Sequence, residues 1–411
     1  MLNPLPLQTY LGILAKSLSS SQQAMRSLRQ ELPDLNPSLK GEWQLLQKKL
    51  LQKNPIELEQ ELQKQITEKL AGYLAAIPIL SFELHKYKRD DFAVPAAWQE
   101  GSSFLYDYSR PDETCTPPNA DQSASLLIIP SLINRHYILD LEEGNSFVKY
   151  LAGKGVATYL ASWGEPLENE LHFSIDSYVV RIGKMIDRIY NRTGQKVILT
   201  GYCMGGLLSL AAANLMPDKI KAIAFLATPW DFHSGDFPRL KIKKKQLTRV
   251  QKILGSYKKV PASFIQAMFY YMHAHLIGRK FEIYPLINTQ THFRQDFLAV
   301  ENWVNDGISM TSAVARECFI GWVNNNNVAN LKWKINGRHI SPKFISHLPT
   351  FFAIPQKDSI VPPSCASPLV DYFQNRTIIK PGAGHVGMVV GTLAKSQTWE
   401  PFLAWIRKLK D

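Results

Sequence analysis

The chain has 411 residues, 45% of them apolar, 20% charged, with a formal net charge of +12 and four cysteines. That length holds one core-forming domain plus an appendage, and the charge favours anionic contacts: a membrane surface, nucleic acid or phosphate-bearing substrates. Cys115, Cys203, Cys318 and Cys365 lie far apart without a C-x-x-C pair, which excludes a zinc ribbon or dense disulfide framework and fits a reducing cytoplasm. The N-terminus, MLNPLPLQTYLG, lacks the basic start, long apolar core and cleavage site of a signal peptide. The longest apolar run, Leu70 to Phe82, is too short to span a bilayer, so a soluble, unexported protein is expected.

Residues 1–90 read as an N-terminal helical region. From Leu5 to about Ser81 glycines are few and Leu, Gln, Lys and Glu abound, with Pro33, Pro37 and Pro55 marking breaks between three helices. Pro55 and Glu57 open the third, whose Leu58, Leu62, Ile66, Leu70 and Leu74 form an apolar stripe expected to pack within its own domain. Phe92 to Ser109 alternates around a glycine and predicts a hairpin of two edge strands, followed by a loop over Arg110 to Ser123. Ser125 to Ile129 is a continuous apolar run ended by Pro130, as in a buried parallel strand. SLINRHYILDL then predicts a loop leading to a helix from about Asn145 to Lys154, a strand over Val156 to Ser162 and a helix over Ile175 to Asn191. A strand at Val197 to Thr200, a helix from Leu207 to Met216 and a strand at Ala222 to Ala227 continue the alternation.

The rhythm stops from Asp231 to about Leu331, which reads as an inserted cap. It opens with eight basic and no acidic residues between Lys241 and Lys259, either a solvated helix face or an anion-binding edge for a nucleotide-bearing substrate or lipid surface. The apolar stretch SFIQAMFYYMHAHLIG reads as cap core. Strands at Thr350 to Ile354 and Asn375 to Ile379 resume the pattern, and a helix from about Gln397 to Lys410 closes it. The prediction is an α/β fold of the α/β-hydrolase type, with a mostly parallel sheet in residues 91–411 and the cap at about 231–331.

The chemistry centres on KVILTGYCMGGLLSL, a strand, tight turn and helix matching the nucleophile elbow G-x-S-x-G with Cys203 in place of serine. A Cβ at Gly201 or Gly205 would collide with nearby backbone in so sharp a turn, and the next helix aims its free N–H groups at the sulfur. The same motif also fits a buried structural cysteine. Nucleophile, acid and histidine follow in hydrolase order: Cys203, Asp358 in PQKDSIVPP and His385 between glycines in PGAGHVGMVVG. Asp358 also suits a turn, and Asp231 at the end of its own strand is the alternative acid. Backbone N–H groups of Met204 and of the loop near Leu132 or Ile133 are the expected oxyanion donors. Cys318 and Cys365 have no elbow and read as structural. His233, His273 and His275 lack i, i+4 metal spacing, so no metal is expected.

SLINRHYILDL, NSFVKYLAGKGVATYLASWGEP, ILTGYCMGG, KDSIVPP and GHVG together resemble the polyhydroxyalkanoate synthase family, relatives of the α/β hydrolases with a Cys nucleophile. The resemblance implies that Cys203 carries the growing acyl chain, His385 activates the thiol and the incoming hydroxyl, and Asp358 assists His385. It implies a 3-hydroxyacyl-coenzyme A substrate, such as 3-hydroxybutyryl-coenzyme A, and a polyester product with release of coenzyme A. It also implies a homodimer at a cytoplasmic granule surface, with no nucleic-acid partner and no cofactor beyond the coenzyme A carried by the substrate. Two other functions remain open: a Cys-dependent esterase, thioesterase or polyester depolymerase that uses the same triad with water as acceptor, and a granule-binding scaffold that uses the basic and apolar cap without turnover.

Overall fold

The computed structural model describes residues 40–89, 94–109, 125–235, 237, 244–272, 283–287 and 292–409. The first expected helix, the Arg110 to Ser123 loop with Cys115, Lys241, Lys243, His273 and His275 lie outside the described residues. The chain divides into two units, one of residues 1–88 and 266–305, the other of residues 89–265 and 306–411.

In the first unit, α1 spans Lys40–Leu51 and α2 spans Pro55–Lys86. Asn54 caps α2, its side-chain oxygen accepting the Ile56 N–H at 2.9 Å, and Pro55 occupies a first-turn position where no N–H is needed. The stripe is half-buried from Leu58 to Leu70, but Leu74 is 46% exposed. A spacing of four drifts about 40° around a helix per step, so Leu74 has turned away. The buried seam passes instead to Ala76, Ile77 and Leu80, which pack with Tyr284 and Ile287. Beside it Glu83 pairs with Arg294 at 2.6 Å and takes the Tyr284 hydroxyl, and the guanidinium holds the Glu83 carboxyl below its ordinary value.

The second unit is built on an eight-stranded sheet. Its strands are β1 Ala96–Glu100, β2 Ser103–Asp107, β3 Ser125–Ile129, β4 Thr158–Trp163, β5 Val197–Tyr202, β6 Ile220–Leu226, β7 Thr350–Ala353 and β8 Arg376–Ile379. They lie in the order β1-β2-β4-β3-β5-β6-β7-β8, parallel from β4 onwards, with β1–β2 and β2–β4 antiparallel. β3, β4 and β5 are buried at every residue, as strands covered on both faces must be. The hairpin differs from two edge strands: β1 is the edge, whereas β2 pairs inward with β4 and buries alternate residues. The segment after β3 is also more ordered than a loop, with a 3-10 turn at His136–Leu139 and a small ribbon of Asp140–Glu142 with Asn145–Ser146. Ser146 then caps α3, Phe147–Gly153, by accepting the Lys149 N–H at 3.1 Å. Helices α4, Ile175–Thr193, and α5, Met204–Leu215, flank β5 in sequence, and a terminal helix covers Glu400–Lys408.

The hairpin is locked by a buried ion pair. Glu170 accepts from Arg181 and from the N–H groups of Ser102 and Leu167, both at 3.0 Å, while Arg181 donates to Ser103 Oγ at 2.8 Å. Burial alone would raise the Glu170 carboxyl, but these hydrogen bonds outweigh it and hold it at about 2. A depressed carboxylate stabilises the fold above its ordinary 4.5 and loses that contribution as the pH falls towards 2. Glu170→Gln is expected to cost on the order of 3 kcal/mol at pH 7 and to flatten the stability loss between those limits, measured by urea unfolding. Parallel pH curves for variant and wild type would contradict this.

Candidate active site

The turn after β5 places Cys203 at φ 55° and ψ −127°, a left-handed conformation that costs energy for any residue with a side chain. Packing imposes it. A Cβ on Gly201 would stand 2.3 Å from Gly206 Cα, and one on Gly205 only 2.1 Å from the Ile129 carbonyl oxygen at the end of β3. Two hydrogen bonds hold the turn: Cys203 N–H to Leu226 O at 2.8 Å, and Gly206 N–H to Cys203 O at 3.0 Å. The sulfur stands at the head of α5, half-exposed, whereas Cys318 and Cys365 are buried. Burial pushes both of those thiols up, Cys365 to about 12.

Asp358 and His385 come from loops after β7 and β8 that pair through their backbones, Gln356 N–H to Pro381 O at 2.9 Å and Lys357 N–H to Ala383 O at 3.0 Å. Asp358 Oδ1 accepts the N–H groups of Ile360 at 2.9 Å and Val361 at 2.8 Å, which aims Oδ2 at His385 Nδ1, 2.6 Å away. The other ring nitrogen is left for Cys203. Burial alone would lower the imidazole, but the Asp358 carboxylate, with the charge of Cys203 and a hydrogen bond donated to its sulfur, raises it well above 6.5. Cys203, His385 and Asp358 are therefore brought together.

Asp231 Oδ1 accepts Asn326 Nδ2 at 2.8 Å and the His233 N–H at 2.9 Å. Met204 is the first residue of α5, where a helix leaves its N–H groups without intrahelical acceptors. Ile133 N–H, expected to face an oxyanion, instead donates to Ser131 Oγ at 3.2 Å. That short polar side chain two residues back closes a local turn. His233 Nε2 lies 3.0 Å from the Asn324 carbonyl. Among the described residues no group of three or more His, Cys, Asp or Glu side chains could hold a metal, and no helix is long and apolar enough to cross a membrane.

Tyr202 went unnoticed in the sequence. Its buried hydroxyl donates to the His385 carbonyl at 3.2 Å and its ring lies 5.3 Å from the imidazole. Adjacency to Cys203 was the one available signal, because the partner stands 183 positions away.

The α/β-hydrolase fold model matches residues 147–392, spanning the elbow, Asp358 and His385. The chain belongs to the α/β-hydrolase family. Within that family, the N-terminal model of poly-beta-hydroxybutyrate polymerase (PhaC) matches residues 115–151. A poly(3-hydroxyalkanoate) polymerase subunit PhaC from Haloferax mediterranei is 26% identical over 70% of this chain and 59% of its own length. That from Allochromatium vinosum is 27% identical over 76% of this chain and 88% of its own. The chain thus spans less than two thirds of the haloarchaeal relative and most of the bacterial one. A solved thioesterase domain from the curacin biosynthetic pathway matches with a TM-score of 0.47 and 12% identity, covering 78% of this chain and 100% of that one. The motif resemblance to the polyhydroxyalkanoate synthases is borne out by the PhaC model match and the two polymerase subunits.

Two outcomes follow for His385. Nitrogen-15 NMR of labelled histidine at pH 7.5 should show a protonated ring in the wild type and a neutral one in Asp358→Asn, where burial prevails. A neutral wild-type ring would contradict the electrostatic reading. Tyr202→Phe should slow iodoacetamide alkylation of Cys203 about fivefold, the equivalent of roughly 1 kcal/mol for one hydrogen bond. An unchanged rate would relieve that hydroxyl of any positioning role.

Proposed function

We propose that this chain is an acyltransferase that polymerises 3-hydroxyacyl-coenzyme A into polyester, with residues 91–411 as its catalytic domain. The observation that carries this reading is the raised, buried imidazole of His385 held by Asp358 beside a strained, half-exposed Cys203. With the thiol proton already held on His385, the Cys203 sulfur attacks the thioester carbonyl. The tetrahedral oxyanion lies against the Met204 N–H, and a second donor comes from the Leu132–Ile133 loop once Ser131 releases it. As the carbonyl re-forms, the bond to coenzyme A breaks and His385 returns the proton to the leaving sulfur. The product is an acyl thioester on Cys203.

The second half repeats the proton movements. His385 takes the proton from a hydroxyl at the end of another acyl chain, that oxygen attacks the Cys203 thioester, and the proton passes to the departing sulfur. One ester bond forms as one thioester bond breaks. Exchange between thioesters keeps the acyl group activated, which suits cysteine better than serine at this position. Coenzyme A arrives on the substrate, so no resident cofactor is required. A cytoplasmic granule surface and a homodimer complete the proposal.

The half-exposed sulfur also favours a second reading, in which water replaces the hydroxyl and the protein is a thioesterase. Incubation with 3-hydroxybutyryl-coenzyme A separates the two: high-mass polyester with coenzyme A release supports synthesis, and monomer acid alone supports hydrolysis. Cys203→Ala and His385→Ala should each lower turnover by about 10⁴-fold or more, and Asp358→Asn by less. Asp231→Asn should have the smaller effect of the two carboxylate variants. Granules that form normally in cells carrying Cys203→Ala and His385→Ala would point instead to a scaffold.

A further inference from the structure

A cleft of about 500 Å³ opens in the sheet-bearing unit between α6, Lys244–Ser256, and a π-helical turn at Glu317–Asn324. Its walls carry Gln251 from α6, Arg316 and Glu317 where the turn begins, and Asn325 and Asn327 where it ends. One arginine and three amide-bearing residues line the same space. Arg and amide groups present planar sets of donors, the geometry that phosphate oxygens and purine edges accept. Gln251 is flanked along α6 by Arg249 and Lys252, both exposed, in a stretch with no acidic residue up to Lys259. Such a field raises the local concentration of anions. Glu317 is the one acidic group in the wall. Burial, with the charge of Asp176, raises its carboxyl above the ordinary value.

The cleft is tied to the nucleophile's side of the sheet. Asn326, between the two asparagines of the wall, is buried with φ 53°, and its amide grips the chain where it leaves β6. Its Nδ2 donates to Asp231 at 2.8 Å and its Oδ1 accepts the Phe232 N–H at 3.1 Å. β6 is the immediate neighbour of β5, which ends at Cys203. The wall is thereby tied to the chain that follows β6, the strand paired with the one leading to the sulfur. An acyl-coenzyme A has its reacting carbonyl at one end and an adenosine carrying a 3′-phosphate and a 5′-diphosphate at the other, joined by a long pantetheine arm. We propose that this cleft holds the phosphorylated adenosine end of the acyl-coenzyme A, with Arg316 as its anchoring cation. The proposal rests on the acyltransferase reading for the identity of the ligand.

Titration calorimetry of the full chain with adenosine 3′,5′-bisphosphate tests the cleft without requiring turnover. The wild type should bind it, and Arg316→Gln should weaken binding about tenfold, as loss of a charge-assisted hydrogen bond predicts. Arg316→Lys, which keeps the charge and loses the fork, should fall between. No binding by the wild type, equal binding by Arg316→Gln, or equally tight binding of inorganic pyrophosphate would each overturn the proposal. Kinetics give a second arm: Arg316→Gln should raise the KM for 3-hydroxybutyryl-coenzyme A about tenfold relative to that for 3-hydroxybutyryl-pantetheine, which lacks the nucleotide. An unchanged ratio would overturn it. Binding of the bisphosphate without turnover of either thioester would retain the cleft and reject the acyltransferase reading.

Discussion

The contact on which the site depends is the approach of α5 to the end of β3. The Ile129 carbonyl oxygen lies where a Cβ on residue 205 would have to be, and the backbone of Gly206 lies where one on residue 201 would have to be. Only glycine permits this approach, and without it the chain has no reason to hold Cys203 at a positive φ. The strain is local and the restraint is spread over two strands and a helix. β6 adds to the restraint through the Leu226 carbonyl, and Thr228 closes against Gly206. A sulfur so placed stands clear of its own strand and faces the carboxyl ends of β7 and β8.

Those ends supply the second requirement, a histidine that stays in one orientation. Asp358 is fixed by two backbone donors before it meets the ring, and Tyr202 anchors the carbonyl of the same histidine. The imidazole is thus held through both its ring and its backbone. Burial works against a charged ring here, so the carboxylate has to compensate for lost hydration as well as set the tautomer. A solvated carboxylate would do this poorly, because water would screen it. At 4% exposure Asp358 is dry enough to act at nearly full strength.

Much of this was legible beforehand, for identifiable reasons. Strands β3 and β7 are short apolar runs bounded by prolines or polar residues, and they fall within a residue of their expected limits. The elbow is legible because its glycines are required by contacts internal to the motif. His385 and Asp358 followed from chain order behind strands. The interior position of β2 was not legible, since pairing with β4 is a property of the sheet and not of the hairpin. Nor was the division of the chain: Tyr284, Ile287 and Arg294, within the stretch read as cap, pack with α2 more than 200 positions earlier. The stripe from Leu58 to Leu74 misled for a geometric reason, because a period of four departs from 3.6. Tyr202 and Asn326 share a different obstacle: each hydrogen-bonds groups far away along the chain, and no spacing rule encodes such partners.

The segment of residues 306–311 holds a further part of the sheet-bearing unit in register. Over six residues it is stitched to the loops that follow β3 and β4. Asp306 pairs with Arg135 at 3.2 Å and accepts from the Tyr137 hydroxyl, and Ile308 N–H donates to Ile133 O at 2.8 Å. Ser309 N–H donates to Glu165 at 3.0 Å, and Thr311 Oγ1 to the Phe173 carbonyl at 2.6 Å. Asn134 and Gly307 add an antiparallel bridge. Ile133 therefore belongs mechanically to this stretch as much as to β3, and displacement of residues 306–311 would carry its N–H with them. The Ser131 hydroxyl that now occupies that N–H is a single neutral contact, worth about 1 kcal/mol, and an oxyanion offers a stronger acceptor. Exchange of one for the other requires a small movement of this loop, and the residues sewn to it would have to move as well. In the proposed mechanism Ile133 would couple oxyanion binding to the position of residues 306–311 through one short piece of backbone.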